Sequence, residues 1–229
     1  MLASVSHDLK APLTAILGNA ELALTYEPSG AAEQSRNSLE VIVRNARRLA
    51  ALVDDLLLVA TAYVGRLELA VEPVDLAAMA SAHVNERREE AARLGVDLAF
   101  AADSRPTTVL ADPRRMGQLL DNVLDNAIKF TPSGRVDVHL GREEHGVVLE
   151  VADTGSGIES GEASRVFEPF YRGAAAHAGG VAGSGLGLHI AKAIVEAHGG
   201  TIRLHGEPGT GTTCRLVLPA PPVREAAQS

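Results

Sequence analysis

Apolar positions recur at two different periods along this chain, and the change of period divides it. From residue 1 to about 26, Leu2, Val5, Leu9, Pro12 or Leu13, Ile16, Ala20 and Ala23 follow a three-and-four spacing that predicts an amphipathic helix. His7 lies off that stripe, on the far side of the helix, and Pro12 removes the N–H that would bond the carbonyl of Asp8, so a kink is expected beside it. A turn over 26–33 carries Pro28, Ser29 and Gly30. Leu39, Ile42, Ala46, Leu49, Val53, Leu56 and Ala60 then form a heptad seam on a second helix to about Thr61, widened by Leu52, Leu57 and Leu58. Two such helices make a hairpin with one broad apolar face and too little surface to cover it. A homodimer forming a four-helix bundle solves this economically. The competing solution packs the hairpin on the rest of its own chain.

Beyond Tyr63 the pattern shortens. Gly65 to Pro73 reads as a linker running into a short strand marked by Leu67, Leu69 and Val71. Val74 to Leu94 reads as a helix, with Glu86 to Glu90 as its solvated charged face. Val96 to Phe100 alternates like a half-buried strand, and Thr107 to Leu110 makes another. Met116, Leu119, Leu120, Val123, Leu124, Ala127 and Ile128 return to helical spacing, opened by Asp112 as N-cap and Pro113 in the first turn. Arg135 to Gly141 and Val147 to Ala152 form one hairpin, and Thr201 to His205 and Thr212 to Leu218 a second pair. Helices with antiparallel strands give an α+β fold: the helical hairpin over 1–64, then a two-layer α/β sandwich over 65–219. Residues 220–229 are a Pro/Ala-rich polar tail, expected to be disordered.

Composition narrows the function classes. The chain has 229 residues, enough for one large domain or two small ones, and a formal charge of −8, which argues against nucleic acid or an anionic membrane as main partner. Cys214 is the only cysteine, so no internal disulfide forms, which fits a reducing compartment. No apolar stretch approaches the ~18 to 20 residues of a membrane span.

The candidate chemistry lies in four segments. Asp153 ends an apolar run (Val147, Val148, Leu149, Val151) and opens Asp153-Thr154-Gly155-Ser156-Gly157-Ile158. A carboxylate there is costly to bury without a partner, and an adenine amino group is one such partner; a plain Asp/Gly turn is the other reading. Gly155 and Gly157 permit close backbone approach to a ligand. Asn122, Asn126 and Lys129 share one helix face, which suits a metal and phosphates, or else a solvated surface. Gly183, Gly185 and Gly187 run into an apolar helix over 188–197, offering free N–H groups and a positive helix end. Ala174 to Ala182, nearly all Ala and Gly, suits a mobile lid, and Arg172 beside it is left between a phosphate contact and a plain surface position. The spacing is not a Rossmann fingerprint, and no Walker lysine motif is present.

These segments, with Phe167-Glu168-Pro169-Phe170-Tyr171-Arg172 between the glycine clusters, resemble the nucleotide pocket of the GHKL ATPase and kinase superfamily. Ser6-His7-Asp8-Leu9-Lys10-Ala11-Pro12-Leu13 resembles the phospho-acceptor box of sensor histidine kinases, and the resemblance covers nearly the whole chain. It implies an ATP- and Mg²⁺-dependent protein-histidine kinase core, with His7 as acceptor and Asp8 orienting the imidazole or taking its proton. It assigns Asp153 to the adenine amine, Asn126 and Asn122 to Mg²⁺ and its phosphates, and Lys129 to a phosphate. It extends the nucleotide set to Gly155, Gly157, Arg172, Gly183, Gly185, Leu186, Gly187 and Thr212. The other seven histidines are read as structural or solvent-exposed.

The resemblance further implies a homodimer through the hairpin, phosphoryl transfer to an aspartate on a response-regulator partner, and a linker near Gly65 acting as hinge. Relatives carry sensory segments upstream, so a cytoplasmic fragment of a longer protein is expected, its parent open to a membrane anchor. The chain departs from the family pattern at Ala11, where many relatives place the Thr or Asn that positions a water for dephosphorylating the partner; weak phosphatase activity is expected. It departs again at Cys214, where relatives often carry Phe. Two other readings compete: a conformational clamp ATPase of the same superfamily, opposed by the His7-Asp8 box, and a non-catalytic dimeric binding module, opposed by the intact Asn126, Lys129, Asp153 and glycine set.

Overall fold

The structure, a computed structural model, describes residues 2–25, 32–63, 67–159, 161–174, 176, 181 and 183–219, with side chains of the first two helices described over 11–23 and 36–61. The chain divides into two units, Met1–Gly65 and Arg66–Ser229. Residues 26–31 of the turn expected over 26–33, the linker residues 64–66, most of the lid and the tail from 220 lie outside the described residues, and the last two residues of that turn, Ala32 and Glu33, belong to the second helix.

The first unit is two helices, α1 (Leu2–Thr25) and α2 (Ala32–Tyr63), packed on each other. α1 runs through Pro12 without interruption. Within the single chain the expected seam stays partly open: Leu39 and Val53 are exposed, as are Leu13, Leu17 and Leu22 on α1. Leu57 and Leu58 part company, Leu58 at 2% exposure and Leu57 at 60%. His7 and Asp8 fall on α1, and their side chains lie outside the described residues.

The second unit is a five-stranded sheet covered on one face by helices. Its strands are β2 (Val96–Ala102), β4 (Gly134–Glu143), β5 (Gly146–Asp153), β6 (Thr201–Glu207) and β7 (Gly211–Leu218), in the order β2-β4-β5-β7-β6. The helices are α3 (Leu76–Arg93), α4 (Pro113–Phe130) and α5 (Gly187–Ala197). A separate two-stranded ladder joins β1 (Glu72–Asp75) to β3 (Thr108–Ala111). Asp75 caps α3 by accepting from Ala77 and Ala78, and Asp112 caps α4 with Pro113 in its first turn.

Two sequence expectations are corrected. The strand marked by Leu67, Leu69 and Val71 is absent. The ladder begins at Glu72, because its partner β3 is four residues long and places Val74, not Val71, opposite the buried Val109. Val74 and Asp75 therefore belong to that strand, and the helix starts at Leu76. Nor is the sheet wholly antiparallel, since β2 pairs with β4 in parallel. Alternation looks alike in either direction, so sequence period does not reveal it.

Register decides what faces the helices. Leu140 lies opposite Leu149 and Leu149 opposite Leu216, while Val138 faces Val151 and Val151 faces Cys214. All of these are buried and form the sheet's side of the core. Met116, Leu119, Leu124, Ile190 and Ile194 form the helical side. A void of about 10 Å³ remains between the layers, lined by Leu76, Ala80, Met116 and leucines; apolar lining of that size holds no ligand. Cys214 is buried in this core, and burial followed by the nearby Asp153 charge pushes its thiol up to about 12, so it is an inert packing residue.

Candidate nucleotide site

The same period of two that buries Val151 carries Asp153 onto the inward face, at the open end of the core. The next row of the register places Asp153 between Val136 and Thr212. Its Oδ1 accepts from the amides of Gly155 at 2.9 Å and Thr212 at 3.1 Å. Both of these bonds end on one oxygen, and Oδ2 takes neither. Half-burial raises the carboxyl above its ordinary value, and the two amide bonds oppose that without cancelling it. The result is an inward-facing acceptor held by its own turn and by β7, with one oxygen that takes neither backbone bond.

The other motifs come to the same end of the domain. Ser156 donates its amide to the Phe130 carbonyl at 3.1 Å, tying the Asp153 turn to the last residue of α4. Gly155 packs so closely there that any Cβ would collide with the same carbonyl. One and two turns back along α4 lie Asn126 and Asn122, both half-buried, with Lys129 exposed at the helix end. A Cβ on Gly187 would sit 3.0 Å from Asn122 Oδ1, so the start of α5 abuts the Asn face. No side chain caps α5. Its first amides are thus left for a ligand, and the positive helix end favours an anion.

The segment between the glycine clusters is pinned to α5. His189 Nδ1 lies 2.8 Å from the Phe167 carbonyl, and Lys192 stands over the Phe167 ring. Phe170 donates its amide to the Gly185 carbonyl at 2.9 Å and adopts φ +64°, the one positive φ of a non-glycine residue among the described residues. Gly185 in turn has φ +71° and no room for a Cβ against Phe170. This mutual left-handed contact is strained for Phe170, and such strain gathers at functional loops. Glu162 accepts from the Tyr171 hydroxyl at 2.8 Å and the Ala174 amide at 3.1 Å, and Arg165 covers the Tyr171 ring. Sequence reasoning missed Glu162 and His189, since neither belongs to a motif and each bonds only after the chain has folded back.

Arg172 is turned to backbone: its Nη2 donates to the Val181 carbonyl at 2.6 Å and the Ala176 carbonyl at 3.4 Å. Thr212 contributes its amide to Asp153, and Leu186 is buried at the head of α5. Gly183 is exposed. The structure thus gathers Asn122, Asn126, Asp153, Gly155, Gly157, Gly185, Leu186, Gly187 and Thr212 at one end of the α/β unit.

Two family models match the chain: the His Kinase A (phospho-acceptor) domain over residues 1–62, and the histidine kinase-, DNA gyrase B- and HSP90-like ATPase over 111–222. The solved structure of the mycobacterial sensor histidine kinase MprB is 34% identical with TM-score 0.57, the match covering 65% of this chain and 97% of that one. The chain belongs to the sensor histidine kinases. It is a histidine kinase catalytic core, and full-length ShkA, solved in complex with AMPPNP, matches 97% of it at 31% identity and TM-score 0.71, over 47% of ShkA. The virulence sensor protein BvgS of Bordetella bronchiseptica is 36% identical over 234 residues, the whole of this kinase chain but 19% of BvgS. The kinase chain spans between 19% and 38% of the length of such curated relatives.

The residues present suit the groups the family implies. Mg²⁺ takes oxygen ligands and needs few from protein when phosphates supply the rest. The half-buried amides of Asn122 and Asn126 meet that need, and the described residues hold no His, Cys, Asp and Glu cluster that competes. No described helix is long and apolar enough to cross a membrane.

Proposed function

We propose that this chain binds ATP with Mg²⁺ at the Asn122–Asp153–Gly187 end of the α/β unit and transfers its γ-phosphate to His7. The observation that carries this reading is the meeting of Asn122 with the uncapped start of α5, beside an Asp153 whose Oδ1 is engaged and whose Oδ2 is not. Asp153 Oδ2 accepts the adenine amine. The amides at the head of α5 and the Lys129 ammonium hold phosphate oxygens. Asn126 and Asn122 orient Mg²⁺, which when bound offsets charge on the transferred group.

A ring nitrogen of His7 attacks the γ-phosphorus. The N–P bond forms as the bond to the bridging oxygen breaks, ADP leaves, and Asp8 takes the imidazole proton. The phosphoryl group then passes to a carboxylate of a response-regulator receiver domain. The apolar residues left exposed along α1 and α2 support a homodimer through the hairpin.

Incubation with γ-labelled ATP and Mg²⁺ tests the reading. Acid-labile, alkali-stable label is expected on the chain and is lost in His7→Gln and in Asp153→Asn. ATP turnover without such label points to a clamp ATPase instead. Ala11 offers no side-chain polar group to hold a water, so Ala11→Thr is expected to raise dephosphorylation of the partner. Strong phosphatase activity already present, and unmoved by that change, sinks this part.

A further inference from the structure

The contact of Asn122 with Gly187 is set by two helices that also meet farther along their length. His198 is the C-cap of α5 and Asp112 the N-cap of α4, and the Asp112 amide donates to His198 Nε2 at 3.0 Å. On the other edge of the ring, Nδ1 lies 2.7 Å from the Ile194 carbonyl. A carbonyl only accepts and a backbone N–H only donates, so the imidazole is neutral with its proton on Nδ1. Asp112 is buried, and its carboxylate accepts from Arg115 at 3.1 Å and from Ala70 at 3.0 Å. The His198 contact thus anchors to a residue that cannot easily shift.

The helix lengths match. Asp112 to Asn122 spans about 15 Å and His198 to Gly187 about 16 Å at 1.5 Å per residue. α4 and α5 therefore run antiparallel and are joined at both ends of nearly equal spans, by an imidazole at one end and by Asn122 against Gly187 at the other. A helix barely stretches along its axis, so axial slip of α5 at His198 is carried unchanged to Gly187.

We propose that His198 is a positioning residue for the nucleotide site: its neutral imidazole, held between the Asp112 amide and the Ile194 carbonyl, fixes the axial register of α5 against α4 and thereby the contact of Asn122 with the glycine start of α5, at which the phosphates bind. The inference rests on the nucleotide binding where Asn122 meets the start of α5. It needs no contact between His198 and nucleotide. It assigns a role to a histidine that no motif of the pocket contains.

Calorimetric titration of the full chain with ATP and Mg²⁺ tests it, using wild type, His198→Gln and His198→Leu. Gln keeps an acceptor within reach of the Asp112 amide, and Leu keeps bulk without one. His198→Leu is expected to weaken Kd about tenfold or more, because small misplacements of binding groups are amplified in affinity. His198→Gln is expected to stay close to wild type. A residue that only supports the fold would lower the number of competent sites and leave the Kd of the folded chains unchanged. A folded His198→Leu chain with wild-type Kd overturns the proposal, and so does a His198→Gln chain weakened as much as His198→Leu. Should His198→Leu not fold, His198→Asn takes its place, since Asn reaches the Ile194 carbonyl but falls short of Asp112; it is expected to weaken Kd as Leu would, and a wild-type Kd overturns the proposal. A wild-type chain that takes up no nucleotide overturns the site itself, a failure visible before any substitution is made.

Discussion

The two units of this chain finish their hydrophobic burial differently. In the α/β unit the large apolar side chains at the centre, among them Met116, Leu124, Ile190 and Leu216, are at most 1% exposed within one chain, and α3 and α4 open on Asp caps. In the hairpin Leu13, Leu17, Leu22, Leu39, Val43, Val53 and Leu57 stay exposed in that same chain. A closed core can stand alone and hold a rigid site. An apolar face left open asks for a second surface, and the residues matched by the phospho-acceptor domain model, 1–62, lie on the open unit. On the proposed function, the donor half of the reaction is built on the self-sufficient unit and the acceptor half on the one that needs company.

Substitutions can break this contrast, beginning with the largest expected effect. Leu124→Ala removes a fully buried side chain of α4 and should cost about 3 kcal/mol in denaturant unfolding of the α/β unit. That loss should be independent of protein concentration, and a concentration-dependent loss would mean that this core is completed by a second chain. Asp153→Asn should weaken ATP binding about 100-fold, by the worth of a bond to a charged group. Asn would keep its oxygen on the two amides and present an NH₂ to the adenine amine, donor against donor.

The same substitution has an opposite effect on stability. The folded Asp153 carboxyl titrates above its ordinary 3.8, so the native chain holds that proton longer than the unfolded chain. Stability therefore falls as pH rises through the interval above 3.8 and stays lower at neutral pH. Asp153→Asn should raise the thermal midpoint at neutral pH without nucleotide and flatten that part of the pH profile. A lowered midpoint would show that the two amide bonds outweigh the burial.

On the hairpin, Leu57→Glu changes a residue that one chain leaves 60% exposed. Self-association measured by sedimentation should weaken about tenfold or more, as for a central interface residue. Unchanged association would place the dimer face elsewhere. Asp112→Ala should cost about 1 to 2 kcal/mol through loss of the α4 cap. The Asp112 carboxyl is held below its ordinary value by the amides of Ala70, Arg115 and Arg114, which outweigh its burial. Its contribution is present above the ordinary carboxylate range and is lost as pH falls through the lowered value, the reverse of Asp153.

The sequence made Asp153 legible because a carboxylate closes an apolar run, a placement that needs explaining at any strand end. It could not reveal that Thr212 supplies half of its support, since that bond joins residues 59 positions apart. The Asn face was legible from helical spacing, but its meeting with Gly187 depends on how α5 lies along α4. The strand at 72–75 was misplaced because the alternation of Leu67, Leu69 and Val71 carries no information about a partner only four residues long. His198 shows the same limit. Its sequence neighbours give no chemistry, and its role arises from an amide 86 positions away.

The division of labour between the units is tested most directly by mapping the phosphate. The chain is incubated with ATP and Mg²⁺, kept alkaline, digested and analysed by mass spectrometry for phosphorylated peptides. Phosphate on His7 is the expected result, absent when Asp153→Asn replaces the wild type. Phosphate on another residue, or ATP hydrolysed with His7 unmodified, would contradict the account.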